Sequence, residues 1–525
     1  MRNFHEPGRS AVFSDAGMCA TSHPLGAKVA VDILEAGGNA VDAAIATAVL
    51  MGFCEPQMTG IGGDLFVLMH KPGAGMIGLN ASGRAPAGLQ PENLRAQGHS
   101  KISPHMAAAI TLPGAVDGYC KLHADHGHLP LADVLAPAIH YAETGVPVAP
   151  RVAFDWGLAA PELPASGARH VLKDGKALNV GDIFRAPGQA EVLRRIAKDG
   201  RDAFYDGEVA ADMLTSLKAI GGTHRAEDFA QTACTYVTPI EARYRDHVLT
   251  ELPPNGQGAT ALLLAQMMAE FDVAALDPAG AERIHLEAEA TKLAYDARNR
   301  FVADPDSTSR LDHMLSPETA AGLARMISPD AVLPDPAPLA ETFHRDTVVV
   351  TVVDKDRLAV SLICSIFASF GSGHASEKFG ILFHNRGCGF NLIPGHPNEA
   401  GPAKRPMHTI IPAMLREPDG SLMPFAVMGG QYQAVGHVRV MSDIVDFGRD
   451  PQSAIDAPRA FADGGNLKLE TGVTETARND LRALGHHVVT PETPIGGAQA
   501  IRIDAKTGIL QGASDPRKDG IALGY

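Results

Sequence analysis

Apolar residues recur along this chain at two periods, and the change from one to the other organises it. Gly37-Gly38-Asn39 leads into Ala40-Val41-Asp42-Ala43-Ala44-Ile45-Ala46-Thr47-Ala48-Val49, a turn followed by a helix whose alanine wall permits close packing on a sheet. Thr59-Gly60-Ile61-Gly62-Gly63-Asp64 turns into an apolar strand, Leu65–Met69. From Pro104 to Asp304 the pattern is mainly helical, with three- and four-residue steps in Leu131–Thr144, Gln189–Lys198 and Ala281–Asp304. Residues 328–346 carry prolines at 329, 334, 336 and 338, poor material for helix or strand, and predict a linker. Beyond it come the strand-like runs Thr347–Val353, Leu358–Phe367, Gly380–His384 and Met423–Met428. Asp450-Pro451 then reads as a capped helix start. This order does not suit βαβ alternation; it predicts a layered sandwich, sheets inside and helices outside.

Composition narrows the function classes. The 525 residues are 45% hydrophobic and have a mean hydropathy of -0.01, which suits a soluble globular protein with material for a large core. A net charge of -15 argues against nucleic acid or an anionic membrane as partner, since phosphate binding needs clustered cations. Aromatics make up only 5%, against 54 glycines and 37 prolines, so small residues and tight turns do much of the packing. The cysteines at 19, 54, 120, 234, 364 and 388 show no zinc spacing and no disulfide framework. Met1 to Gly17 has no continuous apolar run, and Ala43 to Phe53 is too short to span a bilayer. The expectation is a cytoplasmic protein.

Three features invite a chemical reading. Thr347 opens Thr-Val-Val-Val-Thr-Val-Val-Asp just after the linker. If the peptide bond before it is broken, its α-amine becomes a general base for its own hydroxyl, and the chain becomes an amide-cleaving enzyme. The plain alternative is a Thr that merely opens an interior strand. The glycines at 60, 62 and 63 do not make a phosphate loop, because no Lys-Ser/Thr follows and the strand comes after them. His285, Glu287 and Glu289 could be imagined as metal ligands, but positions 285 and 287 leave different sides of a helix, so ordinary polar contacts are expected and no metal.

Several blocks, in order, carry a resemblance. They are Gly37 to Ala44, Ala85-Pro86-Ala87, Pro253-Pro254-Asn255-Gly256-Gln257-Gly258, Ala303-Asp304-Pro305-Asp306, Phe370-Gly371-Ser372-Gly373, Lys404-Arg405-Pro406, Gly429-Gly430 and Gly512-Ala513-Ser514-Asp515-Pro516-Arg517. With them the chain resembles the gamma-glutamyltranspeptidase family of N-terminal nucleophile hydrolases. The resemblance implies an α+β fold, a four-layer αββα sandwich. It also implies a precursor cut between Asp346 and Thr347 into a large subunit, 1–346, and a small subunit, 347–525, which together form one intertwined domain. Further homo-oligomerisation is expected. The family nucleophile falls on Thr347, the oxyanion donors on the backbone of Gly429 and Gly430, and an orienting hydroxyl on Ser365. No cofactor is implied, since the polypeptide supplies nucleophile, base and oxyanion donors.

The pocket positions depart from the γ-glutamyl pattern. The family's Gln and Asp, which hold an amino-acid end, fall on Arg386 and Gly389, and its serine pair falls on His408 and Thr409. Arg84, before Ala85-Pro86-Ala87, lies closer to that motif than the family's carboxylate-binding Arg. Two arginines without an acidic partner in the local sequence suit an anionic substrate that lacks an amine. The pattern is similar to the oxamate amidohydrolase branch, so the expectation is an amidohydrolase acting on a small carboxylate-bearing amide, oxamate-like. The alternatives are a γ-glutamyl hydrolase or transferase using glutathione-like donors, and a catalytically silent binding protein of the same fold.

Overall fold

Two seven-stranded sheets lie face to face in the computed structural model, which describes residues 8–334 and 345–525, the side chains of Arg345 and Asp346 apart. Their strands, in chain order, are β1 Val12–Ser14, β2 Met18–Thr21, β3 Asp64–Lys71, β4 Gly75–Ala81, β5 Thr235–Val237, β6 Ile240–Tyr244 and β7 His247–Glu251. Then follow β8 Arg345–Val353, β9 Ala359–Ala368, β10 Ala413–Arg416, β11 Leu422–Met428, β12 Gly497–Ile503, β13 Leu510–Ser514 and β14 Ile521–Gly524. One sheet runs β14-β2-β8-β9-β3-β4-β5 and the other β1-β13-β12-β11-β10-β7-β6. Neighbours within both are antiparallel.

Helices cover both outer faces. α1 Pro24–Glu35 and α2 Ala40–Cys54 lie on the first sheet, with α3 Leu131–Thr144 and α4 Pro187–Asp199 stacked behind them. α5 Gly258–Ala269, α6 Ala281–Phe301, α7 Gln433–Val445 and α8 Pro451–Asp456 build the layer over the second sheet. This is the four-layer αββα sandwich of the N-terminal nucleophile hydrolases. The start of α2 shows how the sequence sets its edges. Asn39 accepts from the Val41 and Asp42 N–H groups, and Asp42 takes the Asn39 N–H in return, a reciprocal cap. All fifteen residues of α2 are buried, so its alanine wall lies between the sheet and the outer helices.

Strand β8 shows the period of two at its clearest. Val348, Val350 and Val352 enter the core shared with α2, while Val349 and Val353 enter the core between the sheets. Thr347 has the parity of Val349 and so belongs to the side that faces the second sheet.

Sequence and structure differ in two places. The mainly helical stretch from Pro104 to Asp304 contains β5, β6 and β7, which supply edge strands to both sheets. In β6 the charged side chains of Glu241 and Arg243 are exposed while Ala242 and Tyr244 are buried, a short alternation easily missed beside long helices. The run Gly380–His384 is not a strand. It makes one isolated bridge, Ala375 to Leu382, and its N–H groups go to loop acceptors, with Gly380 at φ 67° turning the chain. Of the expected linker, residues 335–344 lie outside the described residues.

Candidate active site

Thr347 sits at an irregularity in the sheet. The β8–β9 register pairs Asp346 with Phe367 and Val348 with Cys364, so Ser365 and Ile366 together face Thr347. Such a bulge re-aims side chains locally. Phe367, just past it, holds φ at 80°, a left-handed backbone unusual for an aromatic residue. Thr347 is buried, and its Oγ1 accepts from Gln433 Nε2 at 3.5 Å. The other half of the expected cleavage site, Asp346, lies in β8, but its side chain is outside the described residues.

The second sheet brings a glycine turn to this place. β11 ends at Met428, Gly429 and Gly430 follow with φ of 118° and 57°, and a short 3-10 turn runs directly into α7. Both values favour glycine, and a Cβ on Gly429 would come within 2.9 Å of the Gly496 Cα. The first N–H groups of a helical turn have no intrahelical acceptor, so this one presents donors to whatever lies before it. The turn is braced from behind. Gln257 Nε2 donates to the Gly430 carbonyl at 3.0 Å and to the Thr409 carbonyl at 2.7 Å. Arg298 on α6 holds the Oε1 atoms of both Gln257 and Gln431, and the Tyr295 hydroxyl donates to the Gln431 carbonyl.

Beside Ser365 lies a buried cation. Arg386 donates from Nη2 to Ser365 Oγ at 3.1 Å and from Nη1 to Thr409 Oγ1 at 3.0 Å, with the Phe367 ring 4.2 Å from its guanidinium carbon. Its Nε is 4.0 Å from Asp64 Oδ2. Asp64, at the start of β3, also accepts from the Gly83 N–H at 2.8 Å and from His408 Nε2 at 3.0 Å, and His384 Nδ1 is 3.4 Å away. Burial alone would raise the Asp64 carboxyl, but His384 and His408 outweigh it and hold it well below the usual carboxylate range. Burial, then the Arg386 guanidinium, pushes His408 down to about 3, so at neutral pH it is an uncharged imidazole. Its Nδ1 accepts from the Ile410 N–H while Nε2 faces Asp64, which assigns the proton to Nε2.

The structure therefore joins Ser365, Arg386, Thr409 and, through Asp64, His408 in one network, ties Gly430 to it through Gln257, and sets Thr347 across the bulge from Ser365. Arg84 is held elsewhere by its side chain, with Nη1 3.3 Å from Asp304 Oδ2 and 2.9 Å from the Ala403 carbonyl, and 42% exposed. Both arginines have acidic neighbours, Asp304 and Asp64, that come from distant parts of the chain and were invisible in the local sequence. Residues that the sequence reading gave no role are Gln433, Asp64, His384, Gln257 and Arg298. Gln257 lay inside the Pro-Pro-Asn-Gly-Gln-Gly block, and a polar side chain embedded among glycines was the available signal.

The imagined metal trio resolves differently. His285 and Glu289, one turn apart, meet His486, while Glu287 turns to Arg283 and Arg439. His285 Nδ1 is 2.8 Å from His486 Nε2, and its Nε2 donates to the Ser328 carbonyl. The Glu289 oxygens take Lys292 Nζ and the Leu333 N–H. The ligand atoms of His285, Glu289 and His486 lie within 4.8 Å of one another, a spacing that could hold a metal ion.

An αββα sandwich that presents a buried hydroxyl residue beside a glycine turn defines an N-terminal nucleophile hydrolase. The sequence model described as Gamma-glutamyltranspeptidase matches residues 26–525, and the chain belongs to that family as an amidohydrolase. It is 33% identical to the oxamate amidohydrolase proenzyme of Klebsiella pneumoniae subsp. pneumoniae, over 98% of this chain and 100% of that one. It is 32% identical to the glutathione hydrolase-like YwrD proenzyme of Bacillus subtilis (strain 168), over 98% and 99%. Among solved structures, the cephalosporin acylase from Bacillus halodurans superposes with a TM-score of 0.92 at 37% identity, covering 100% of this chain and 99% of that one.

Proposed function

We propose that this chain cuts itself before Thr347 and then uses Thr347 to hydrolyse the amide of a small, carboxylate-bearing substrate of the oxamate type. In processing, Thr347 Oγ attacks the Asp346 carbonyl carbon, the C–N bond breaks, and the amide nitrogen keeps its pair and gains a proton. Water then opens the resulting ester to give the Asp346 carboxylate and a free Thr347 amine. In turnover that amine takes the Oγ proton as Oγ attacks the substrate carbonyl. The N–H groups at Gly429 and Gly430 face the tetrahedral oxyanion, and the amine returns the proton to the departing nitrogen. Water releases the acid from the acyl-enzyme; an amine in its place gives transfer.

The observation that carries this reading is the placement of Thr347 across the bulge from Ser365, whose hydroxyl accepts from the buried guanidinium of Arg386. A fixed fork of donors matches a planar carboxylate. The relatives named as an oxamate amidohydrolase and a cephalosporin acylase support the reaction class and leave the acyl group to this argument.

A second reading, hydrolysis of a larger amide, is favoured by one feature. A cavity of about 320 Å³, lined by His105, Leu158, Leu163 and Ala368 together with the carboxylates of Asp155 and Glu162, opens beside the start of β8, where Ala368 pairs with Arg345. Purified protein should run as two fragments on a denaturing gel, and Thr347→Ala as one inactive chain. Ammonia release from oxamate should exceed anilide release from a γ-glutamyl anilide. Normal cleavage in the Thr347 variant would overturn the nucleophile, and faster anilide release would overturn the substrate.

A further inference from the structure

The amide of Gln433 has only one orientation that fits its neighbours. Gln433 is fully buried at the first position of α7, three residues after Gly430. Its Oε1 accepts from the Ile411 N–H at 3.0 Å, so its NH2 must point the other way, toward Thr347 Oγ1. Gln433 thus ties together the nucleophile strand, the glycine turn and the segment that carries Thr409. Its donor addresses the nucleophile oxygen, whose charge changes at every step of the proposed reaction. When Oγ attacks, negative charge builds on it as its proton leaves; when the ester opens, charge builds on it again as it departs. A fixed N–H aimed at Oγ stabilises both transition states, and because it occupies a lone pair it leaves the hydroxyl proton to the base. The contact at 3.5 Å belongs to the uncut chain, and catalytic hydrogen bonds are commonly long before the reactive complex forms.

We propose that Gln433 is a further catalytic residue that stabilises Thr347 Oγ as attacking and as leaving group, an inference that rests on Thr347 being the nucleophile. Gln433→Glu keeps the acceptor for Ile411 and replaces the donor by a carboxylate; Gln433→Met removes both. Per cleaved molecule, Gln433→Glu should lose about 10²–10³-fold in kcat at neutral pH with KM within about twofold, on the scale of losing one such donor. Its rate relative to the parent should rise as pH falls and the carboxyl gains a proton it can donate, a limb that Gln433→Met should lack. A structure of the cleaved parent should show the Nε2 to Oγ1 contact shortened to about 3 Å. Parent-like kcat and pH profile in both variants would overturn the inference, as would a cleaved structure with the amide turned from Oγ1, whatever the variants do. Full activity in Thr347→Ala would instead remove the nucleophile reading beneath it.

Discussion

Arg386 is buried with a full charge, and two kinds of partner stabilise it there: the hydroxyls of Ser365 and Thr409, and the Asp64 carboxylate 4.0 Å from Nε. Taking away a buried charge usually strands its counter-ion, so Arg386→Ala carries two costs that separate experimentally. The lost contact to a substrate carboxylate should raise KM by about 10- to 100-fold, as expected for a charge-assisted bond of about 1.5–3 kcal/mol. The stranded Asp64 should lower thermal stability as well. Combining Asp64→Asn with Arg386→Met should restore much of the stability and none of the affinity. Comparing an acid amide with its uncharged methyl ester gives the decisive ratio: the parent should prefer the acid and Arg386→Ala should not. An unchanged preference would take Arg386 out of the pocket. The spacing after Gly380 made this arginine legible. Its counter-ion was not, because Asp64 reaches it only through the fold, and no local pattern marks a contact between segments so far apart in the chain.

At the scale of elements, the glycine turn between β11 and α7 is where backbone geometry and chemistry coincide. Gly429→Ala would place a Cβ 2.9 Å from the Gly496 Cα at a φ that side chains rarely adopt, so the turn must shift and its N–H groups with it. Losing one oxyanion donor typically costs about 10²–10³ in kcat, and a shift of the turn should reach that range. Slower appearance of the two fragments together with a lower kcat would check it. Activity within about twofold of the parent would show that the oxyanion is held elsewhere. Long elements were readable in advance: Leu131–Thr144 is helical over the expected span, and Asp450 does cap the helix that starts at Pro451. The C-terminal strands β12 to β14 were not, because Gly-Ala-Gln-Ala and Leu-Gln-Gly-Ala carry little alternation or β-branching. Such strands are specified by the close approach that small residues allow. A Cβ on Gly512 would lie 2.3 Å from the Met18 sulfur.

For the whole molecule, the layers were legible because the helical block and the strand block differ in period, whereas the interleaving was not. In the first sheet β8 lies between β2 and β9, and β14 lies beyond β2, so segments from either side of residue 346 alternate across it. The seam is also polar. Arg151 donates to the Arg517 carbonyl and its N–H to Asp519, and nearby Glu55 is buried against Ser22 with Asp155, Lys518 and Asp519 around it. Burial first, then Asp155 and Asp519, raises the Glu55 carboxyl to about 7, although Lys518 and Ser22 pull it down. The sign follows from the raised value. Below pH 4.5 Glu55 is protonated in folded and unfolded chains alike, and it imposes no cost. Between 4.5 and about 7 the unfolded chain has released a proton that the folded chain retains, so stability is lost at about 1.4 kcal/mol per pH unit from this group. Glu55→Gln keeps an acceptor for Ser22 and removes the titration. Its stability relative to the parent should therefore be unchanged in slope below pH 4.5, climb through the interval, and level off above about 7. Denaturant midpoints at pH 4, 6 and 8 measure this directly. A difference that stays constant across those three values would mean that the Glu55 carboxyl titrates alike in the folded and unfolded chains and that burial does not raise it.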